Sequence, residues 1–168
     1  RDVGITHLHT EGPAPHLAPE VADSFHHRAL FIGANAREAV NSGRADYVPI
    51  FLSDIPHLLT SRVMPLDVAL LNVSPPDEHG YCSLGTSVDT ALSAVQAAST
   101  VVAQLNRSMP RTLGDPFVPV DHIVYGVEVD QPPHEHALPQ VGEVERRIGA
   151  FVADLVPDGA TVQMGIGS

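Results

Sequence analysis

A chain of 168 residues can bury a core of its own, and its 43% hydrophobic and 17% charged residues give a soluble, globular balance and not a disordered one. Nine basic against twenty acidic residues leave a net charge of −11, a field that repels nucleic acid and acidic membranes and excludes a non-specific phosphate-backbone binder. No apolar run approaches the ~20 residues of a membrane helix, and the single cysteine, Cys82, excludes an internal disulfide and fits a reducing, cytoplasmic setting.

Val3 to His9 alternates apolar and polar residues and predicts a strand. Thr10 to Glu20, with three prolines and a glycine, is loop. Ala29 to Gly33 reads as a short buried strand, Ala34 to Asn41 as a helix with Asn35 as its cap, and Asp46 to Ile50 as another strand. Ser53 opens a helix with Asp54 and Pro56 in its first turn, and Met64-Pro65 ends it. Leu66 to Val73 is a continuous apolar run of the kind a parallel sheet buries on both faces. A rigid turn follows, Ser74 to Gly80, then Tyr81-Cys82-Ser83-Leu84, and Gly85-Thr86-Ser87 leads into a helix. Val88, Ala91, Leu92, Val95 and Ala98 recur along that helix at helical spacing, with Ser87 as N-cap.

Thr100 to Leu105 is a strand, Asn106 to Pro119 a polar loop, and Ile123 to Val129 a strand. Asp130 to Gln140 is the one stretch able to join two sub-structures. Val141, Val144, Ile148, Phe151 and Leu155 face one side of the longest helix, with Glu143 and Arg147 at i,i+4 opposite. Pro157-Asp158-Gly159 stops it, and Ala160 to Met164 runs as a last strand into Gly165-Ile166-Gly167. Strand and helix alternate about seven times, which argues for an α/β fold with an open, mostly parallel sheet flanked by helices. Arg1 is not a methionine, and Gly165 to Ser168 is a glycine loop in mid-course, so the chain is expected to be a fragment or one domain of a longer protein.

Two stretches have the chemistry of a binding site. Gly165-Ile166-Gly167 after a strand would form a backbone-amide cradle for a phosphate or oxyanion, although the same pattern serves as an ordinary tight turn. Gly85-Thr86-Ser87 offers amide and hydroxyl donors to a carboxylate or carbonyl, against the simpler job of capping. The histidine pairs His7/His9, His26/His27 and His134/His136 carry no carboxylate or cysteine at zinc spacing, so they read as solvated surface groups and no metal is expected. His79 and Cys82 at i,i+3 would suit a thiol and its base, but a lone cysteine among apolar neighbours reads as packed. Arg107 and Arg111 would either meet an anionic ligand or tie down their loop through carboxylates such as Asp115. Glu143 and Glu145 read as a solvated helix face.

Taken together, LNVSPPDEHGYCSLGTSVD (Leu71 to Asp89), NRSMPRTLGD (Asn106 to Asp115) and VQMGIGS (Val162 to Ser168) resemble the acetyl-CoA hydrolase/transferase family, which includes 4-hydroxybutyrate and butyryl CoA-transferases. ADYVPIFLSDIP (Ala45 to Pro56) and THLHTEGPAP (Thr6 to Pro15) support the resemblance. It implies that residues 1–168 are most of the N-terminal domain of a two-domain CoA-transferase. Such an enzyme moves coenzyme A between short-chain carboxylic acids through an enzyme-glutamyl thioester.

That glutamate would lie beyond Ser168, so no catalytic residue is expected in this chain. None of Glu11, Glu20, Glu38, Glu78, Glu128, Glu135, Glu143 or Glu145 takes its role. What carries over is Gly165, Ile166, Gly167 and Ser168 at the coenzyme A site, with Gly85, Thr86 and Ser87 in the substrate pocket. The implied partners are acyl-CoA, a small carboxylate, the C-terminal domain of the same protein and, as an open option, a second copy in a homodimer. Neither nucleic acid nor membrane is among them. Two rivals stand beside this reading: an acetyl-CoA hydrolase of the same family, and a non-catalytic module that binds an acyl-CoA or a sugar phosphate.

Overall fold

The computed structural model describes residues 3–135, 140–163 and 165, and the chain divides into two compact units, 1–133 and 134–168. The division falls in the proline- and histidine-rich stretch that the sequence marks as a joint.

Unit one holds two parallel three-stranded sheets and an antiparallel ribbon. In the first sheet β1 (Val3–His7) pairs with β2 (Phe25–Ala29), and β2 with the two-residue β3 (Asp46–Tyr47). In the second, β4 (Val68–Val73) pairs in full register with β6 (Thr100–Asn106), and β6 with β8 (Tyr125–Val129). The ribbon joins β5 (Tyr81–Ser83) to β7 (Phe117–Pro119). Helices α1 (Arg37–Asn41), α2 (Ile55–Thr60) and α3 (Ala91–Ala97) complete the unit. The expected α/β class with mostly parallel pairing holds, divided between sheets where one open sheet was expected.

The larger core lies under β4 and β6: Ala69, Leu71, Val73, Val101 and Ala103 meet Cys82, Leu84 and Val118 from the ribbon and Val95 from α3. A second core gathers Leu30, Ile55 and Leu59, with Ala94 and Ala97 of α3 against it. Each fully buried aliphatic side chain here is worth about 1.5–3 kcal/mol, so α3, packed into both clusters, holds the two sheets together.

Several elements depart from the expectation. The strand expected at Ala29–Gly33 lies earlier, at Phe25–Ala29, because hydrogen-bonded histidines take interior positions that hydropathy assigns to apolar residues. Strand β1 stops at His7, and β3 ends at Tyr47 where Ile50 was expected. Asn35 does not cap α1, which starts at Arg37; its amide donates instead to the carbonyls of Thr10 (2.9 Å) and Gly12 (3.1 Å). Leu66–Val73 is buried on one face only. Its residues alternate, with Leu71 and Val73 inside and Leu70 78% exposed.

The second unit contains α4 (Glu143–Ala153), the longest helix among the described residues, with the predicted apolar spacing. Glu143 and Arg147 form no ion pair there, and Gly159 turns the chain at φ 78° as Pro157-Asp158-Gly159 predicts. Of the strand expected at Ala160 to Met164, residues 160–163 pair with no strand among the described residues, since an extended segment is a strand only when a neighbour completes its hydrogen bonds, and Met164 lies outside the described residues. Among the described residues no helix is long and apolar enough to cross a membrane.

Helix α2 ends on a strained residue. Arg62 has φ 60°, and its N–H reaches Leu59 O at 3.1 Å while Met64 N–H returns to Leu58 O at 3.2 Å. Glycine is the residue suited to that left-handed closing position. Arg62→Gly is expected to raise unfolding free energy by about 0.5–1 kcal/mol, the relieved strain outweighing the added unfolded-state freedom; chemical denaturation measures it.

Candidate functional site: the loop after strand β4

The chain leaves β4 through Ser74-Pro75-Pro76 and needs polar partners for a backbone no longer in the sheet. Ser74 supplies them at once: its N–H donates to Ser83 O (2.8 Å), and its hydroxyl accepts from Ser83 N–H (2.8 Å). The turn then closes on Asp77. One carboxylate oxygen accepts the N–H groups of His79 (2.9 Å) and Tyr81 (2.8 Å), while the other meets the Arg111 guanidinium. The Tyr81 N–H bond, first, then those of His79 and the arginine charge, hold the Asp77 carboxyl below its ordinary range. Gly80 sits at φ 80°, which the turn requires.

Arg111 therefore ties down the loop, through Asp77 and not Asp115. It also donates to Tyr81 O (3.2 Å) and lies 4.7 Å from the Phe117 ring centre. Arg107 makes only an exposed pair with Glu128.

Gly85-Thr86-Ser87, the candidate pocket edge, is welded to residues 109–112. Ser83 Oγ accepts from Gly85 N–H (3.1 Å) and Thr112 N–H (3.2 Å), and Thr112 Oγ donates to Gly85 O (3.0 Å). Gly85 has φ 60°, and a Cβ there would stand 2.2 Å from Met109 Sδ and 3.0 Å from Pro110 O. Thr86 and Ser87 are exposed. Ser87 does not cap α3. That helix begins at Ala91 after Thr90, with no side-chain cap, and Ser87 N–H instead closes a turn on Leu84 O. Freed from capping, the Ser87 hydroxyl stands at the surface, while the Thr86 hydroxyl donates to Met109 Sδ at 3.9 Å.

The neighbouring strand end is fixed by Asn106, 1% exposed. Its amide donates to Gln131 O (2.7 Å) and accepts from Gln131 N–H and Ser108 N–H, both 3.1 Å, so β6 and the exit from β8 move as one. Sequence reasoning gave no individual role to Asp77, Ser83, Asn106 or Thr112. The available signal for three of them was position, Asp77 after Pro76 and Ser83 and Asn106 at strand ends, where side chains substitute for lost backbone pairing; Thr112 has no such local signal.

This wall offers hydroxyls and amides and no nucleophile with its base. Cys82 is fully buried, its thiol raised first by burial and then by the Asp77 charge; His79 is exposed beside Glu78 at 3.6 Å. Among the described residues no group of three His, Cys, Asp or Glu side chains could hold a metal. Cavities of about 420 Å³ beside α3 and about 490 Å³ on the open face of β4, β6 and β8 are broad and apolar, without the convergent polar groups of a site. Gly165 lies in the second unit, with nothing among the described residues near its Cβ direction, and Ile166, Gly167 and Ser168 fall outside the described residues.

Two outcomes test this account. Gly85→Ala is expected to cost about 2–4 kcal/mol, from overpacking and the φ requirement; adding Met109→Ala should recover part of it in a double-mutant cycle followed by urea unfolding. Arg111→Lys keeps the charge but loses the forked contact and the stacking, and should lower stability by about 1 kcal/mol, read by thermal unfolding.

Set against known proteins, residues 2–135 match the sequence model of the acetyl-CoA hydrolase/transferase N-terminal domain. The chain is 46% identical over 164 residues to the 4-hydroxybutyrate coenzyme A transferase of Clostridium kluyveri, covering 98% of this chain and 38% of that protein. It is also 46% identical over 169 residues to a succinyl-CoA:acetate/propanoyl-CoA:succinate CoA transferase of Fasciola hepatica, of which it covers 35%. Among solved structures, the 4-hydroxybutyrate CoA-transferase of Porphyromonas gingivalis superimposes with a TM-score of 0.73 at 30% identity, over 98% of this chain and 44% of that one. RipA from Yersinia pestis gives 0.77 at 29% identity, over 98% and 40%. The chain thus spans little more than a third of the length of these curated relatives, and it belongs to the acetyl-CoA hydrolase/transferase family.

Proposed function

We propose that residues 1–168 form most of the N-terminal domain of a CoA-transferase that moves coenzyme A between short-chain carboxylic acids. The observation that carries the reading is the 46% identity, over nearly the whole chain, to relatives named as CoA transferases. The rigid hydroxyl- and amide-bearing loop at the carboxyl end of β4 supports it, since open α/β sheets place ligands at such strand ends.

The chemistry is covalent catalysis. A glutamate carboxylate attacks the acyl-CoA thioester carbonyl and expels the CoA thiolate, leaving a mixed acyl-glutamyl anhydride. The thiolate then attacks the glutamyl carbonyl, releasing the first carboxylic acid and leaving a glutamyl-CoA thioester. An acceptor carboxylate reverses both steps. That glutamate lies beyond residue 168 in this proposal, and no carboxylate of this chain replaces it. Asp77, the carboxylate of the candidate loop, already accepts three donors and is spent on structure. The chain's part is to shape: Gly85, Thr86 and Ser87 edge the acyl pocket, where fixed donors stabilise developing oxyanions, and Gly165 to Ser168 approach coenzyme A. No metal takes part. The remaining partners in this reading are the acyl-CoA, the acceptor acid, the C-terminal domain and a second copy in a homodimer, in the cytoplasm.

Hydrolysis is the second reading, because the matching family description names both activities. Water would replace the acceptor acid, and the outcome turns on how well the closed cleft excludes it. Incubating the intact protein with butyryl-CoA, with and without acetate, separates the two. Transfer gives acetyl-CoA that appears only with acetate; free coenzyme A released at the same rate without acetate establishes hydrolysis and overturns the proposal. The 168-residue chain alone is expected to turn over neither.

A further inference from the structure

Two of the histidines expected at the surface, His7 and His27, are joined to His16 in a hydrogen-bonded string against the first sheet. His16 Nε2 lies 3.0 Å from His27 Nδ1, His27 Nε2 lies 3.0 Å from His7 Nε2, and His7 Nδ1 lies 2.8 Å from Thr10 Oγ1. His27 is 1% exposed, on the β2 face that also carries Phe25 and Ala29, beside β1. His16 comes from the single turn Pro15–Leu17, in a long segment whose two 3-10 turns offer the sheet no strand pairing. We propose that these three imidazoles form a neutral latch that fastens the 10–24 segment to the β1–β2 sheet and opens on acidification.

Each link needs one N–H and one lone pair, and a neutral imidazole has one of each. The chain closes when all rings point one way: His16 donates to His27, His27 to His7 and His7 to the Thr10 hydroxyl, or the reverse throughout. One added proton still fits, with His27 donating from both nitrogens. A second sets two N–H groups head to head wherever it goes. The arrangement does not suit a metal ion, because His27 turns opposite nitrogens to its neighbours and the lone pairs cannot converge.

The surrounding charges leave the latch neutral. His9 pairs with Glu11 at 2.6 Å and His26 with Asp46 at 2.8 Å; Arg28 lies on the opposite face of β2 with His26, and Glu20 and Asp23 are exposed. Burial first, then the neighbouring histidines, lowers His27 to about 4, and burial lowers His7 and His16 as well. An opened segment frees these rings to titrate near their ordinary value of about 6.5. Opening therefore takes up protons below that pH and grows easier as pH falls from 6.5 toward about 4. Above 6.5 the latch holds at full strength. The segment is also fastened by Arg44 Nη1 donating to Leu17 O at 2.6 Å and by the Asn35 amide donating to the carbonyls of Thr10 and Gly12.

Hydrogen–deuterium exchange of the intact protein tests the latch, run from about pH 7.5 to about pH 5 so that carboxylates stay ionised. After correction for intrinsic exchange, opening of peptides within residues 10–24 should rise at least ~10-fold below pH 6.5, while peptides from β4 and β6 stay unchanged. His16→Gln, in a half-exposed turn, should raise opening at neutral pH and flatten its pH dependence by about one proton; His27→Gln should flatten it further. Ring ¹⁵N shifts should show His27 neutral at pH 6. Opening that is flat with pH in the unmodified protein, a pH dependence that His16→Gln leaves intact, or a His27 ring titrating at its ordinary value would each overturn the proposal.

Discussion

Asp77 holds the candidate wall together. Its carboxylate accepts two backbone N–H groups of its own turn and a guanidinium from a segment 34 residues on. That one side chain converts a proline-led excursion, where the backbone has lost its sheet partners, into a fixed platform for β5. The ribbon formed with β7 then buries Cys82, Leu84 and Val118 against β4 and β6. A charge-assisted contact at a half-exposed site is worth little by itself. Its importance here is geometric, because the apolar burial that stabilises the ribbon is reached only if the turn takes one shape.

Ser83 repeats that logic one step further along. Its hydroxyl accepts the N–H groups of Gly85 and Thr112 and turns its one proton to the carbonyl or the hydroxyl oxygen of Thr112, and the absent side chain of Gly85 lets Met109 close over it. A loop so constrained cannot adapt its backbone to a ligand. It presents Thr86 and Ser87 in one fixed arrangement, the preorganisation that makes fixed dipoles effective at a developing charge.

What the sequence made legible follows from how each element is stabilised. Strands β4 and β6 were readable because their apolar runs bury a face, though β4 buries only one. Strand β7 was not. It is three residues long, includes Pro119, and exists because Cys82 and Val118 lie opposite each other, a long-range fact that no local pattern carries. Strand β2 was placed four residues late because His27, hydrogen-bonded at both nitrogens, behaves as a core residue that hydropathy scores as polar. The family markers survived every misplaced boundary. Pro75, Pro76, Asp77, Gly80, Gly85 and Arg111 are fixed by turn geometry and specific contacts, so they can be recognised without knowing where any helix begins. The pocket role proposed for Gly85 to Ser87 was legible as chemistry only, since capping and ligand contact call for the same residue types.

The acidity of the chain separates the histidine latch from a general charge effect. Protonating all ten histidines would carry the net charge from −11 to −1, which weakens self-repulsion and by itself favours the compact state as pH falls. Only groups buried without a compensating charge, with their hydrogen bonds already satisfied in the neutral form, pull the other way. Loosening of the 10–24 segment above the carboxylate range thus runs against the global field, and the groups built to produce that sign are His7, His16 and His27.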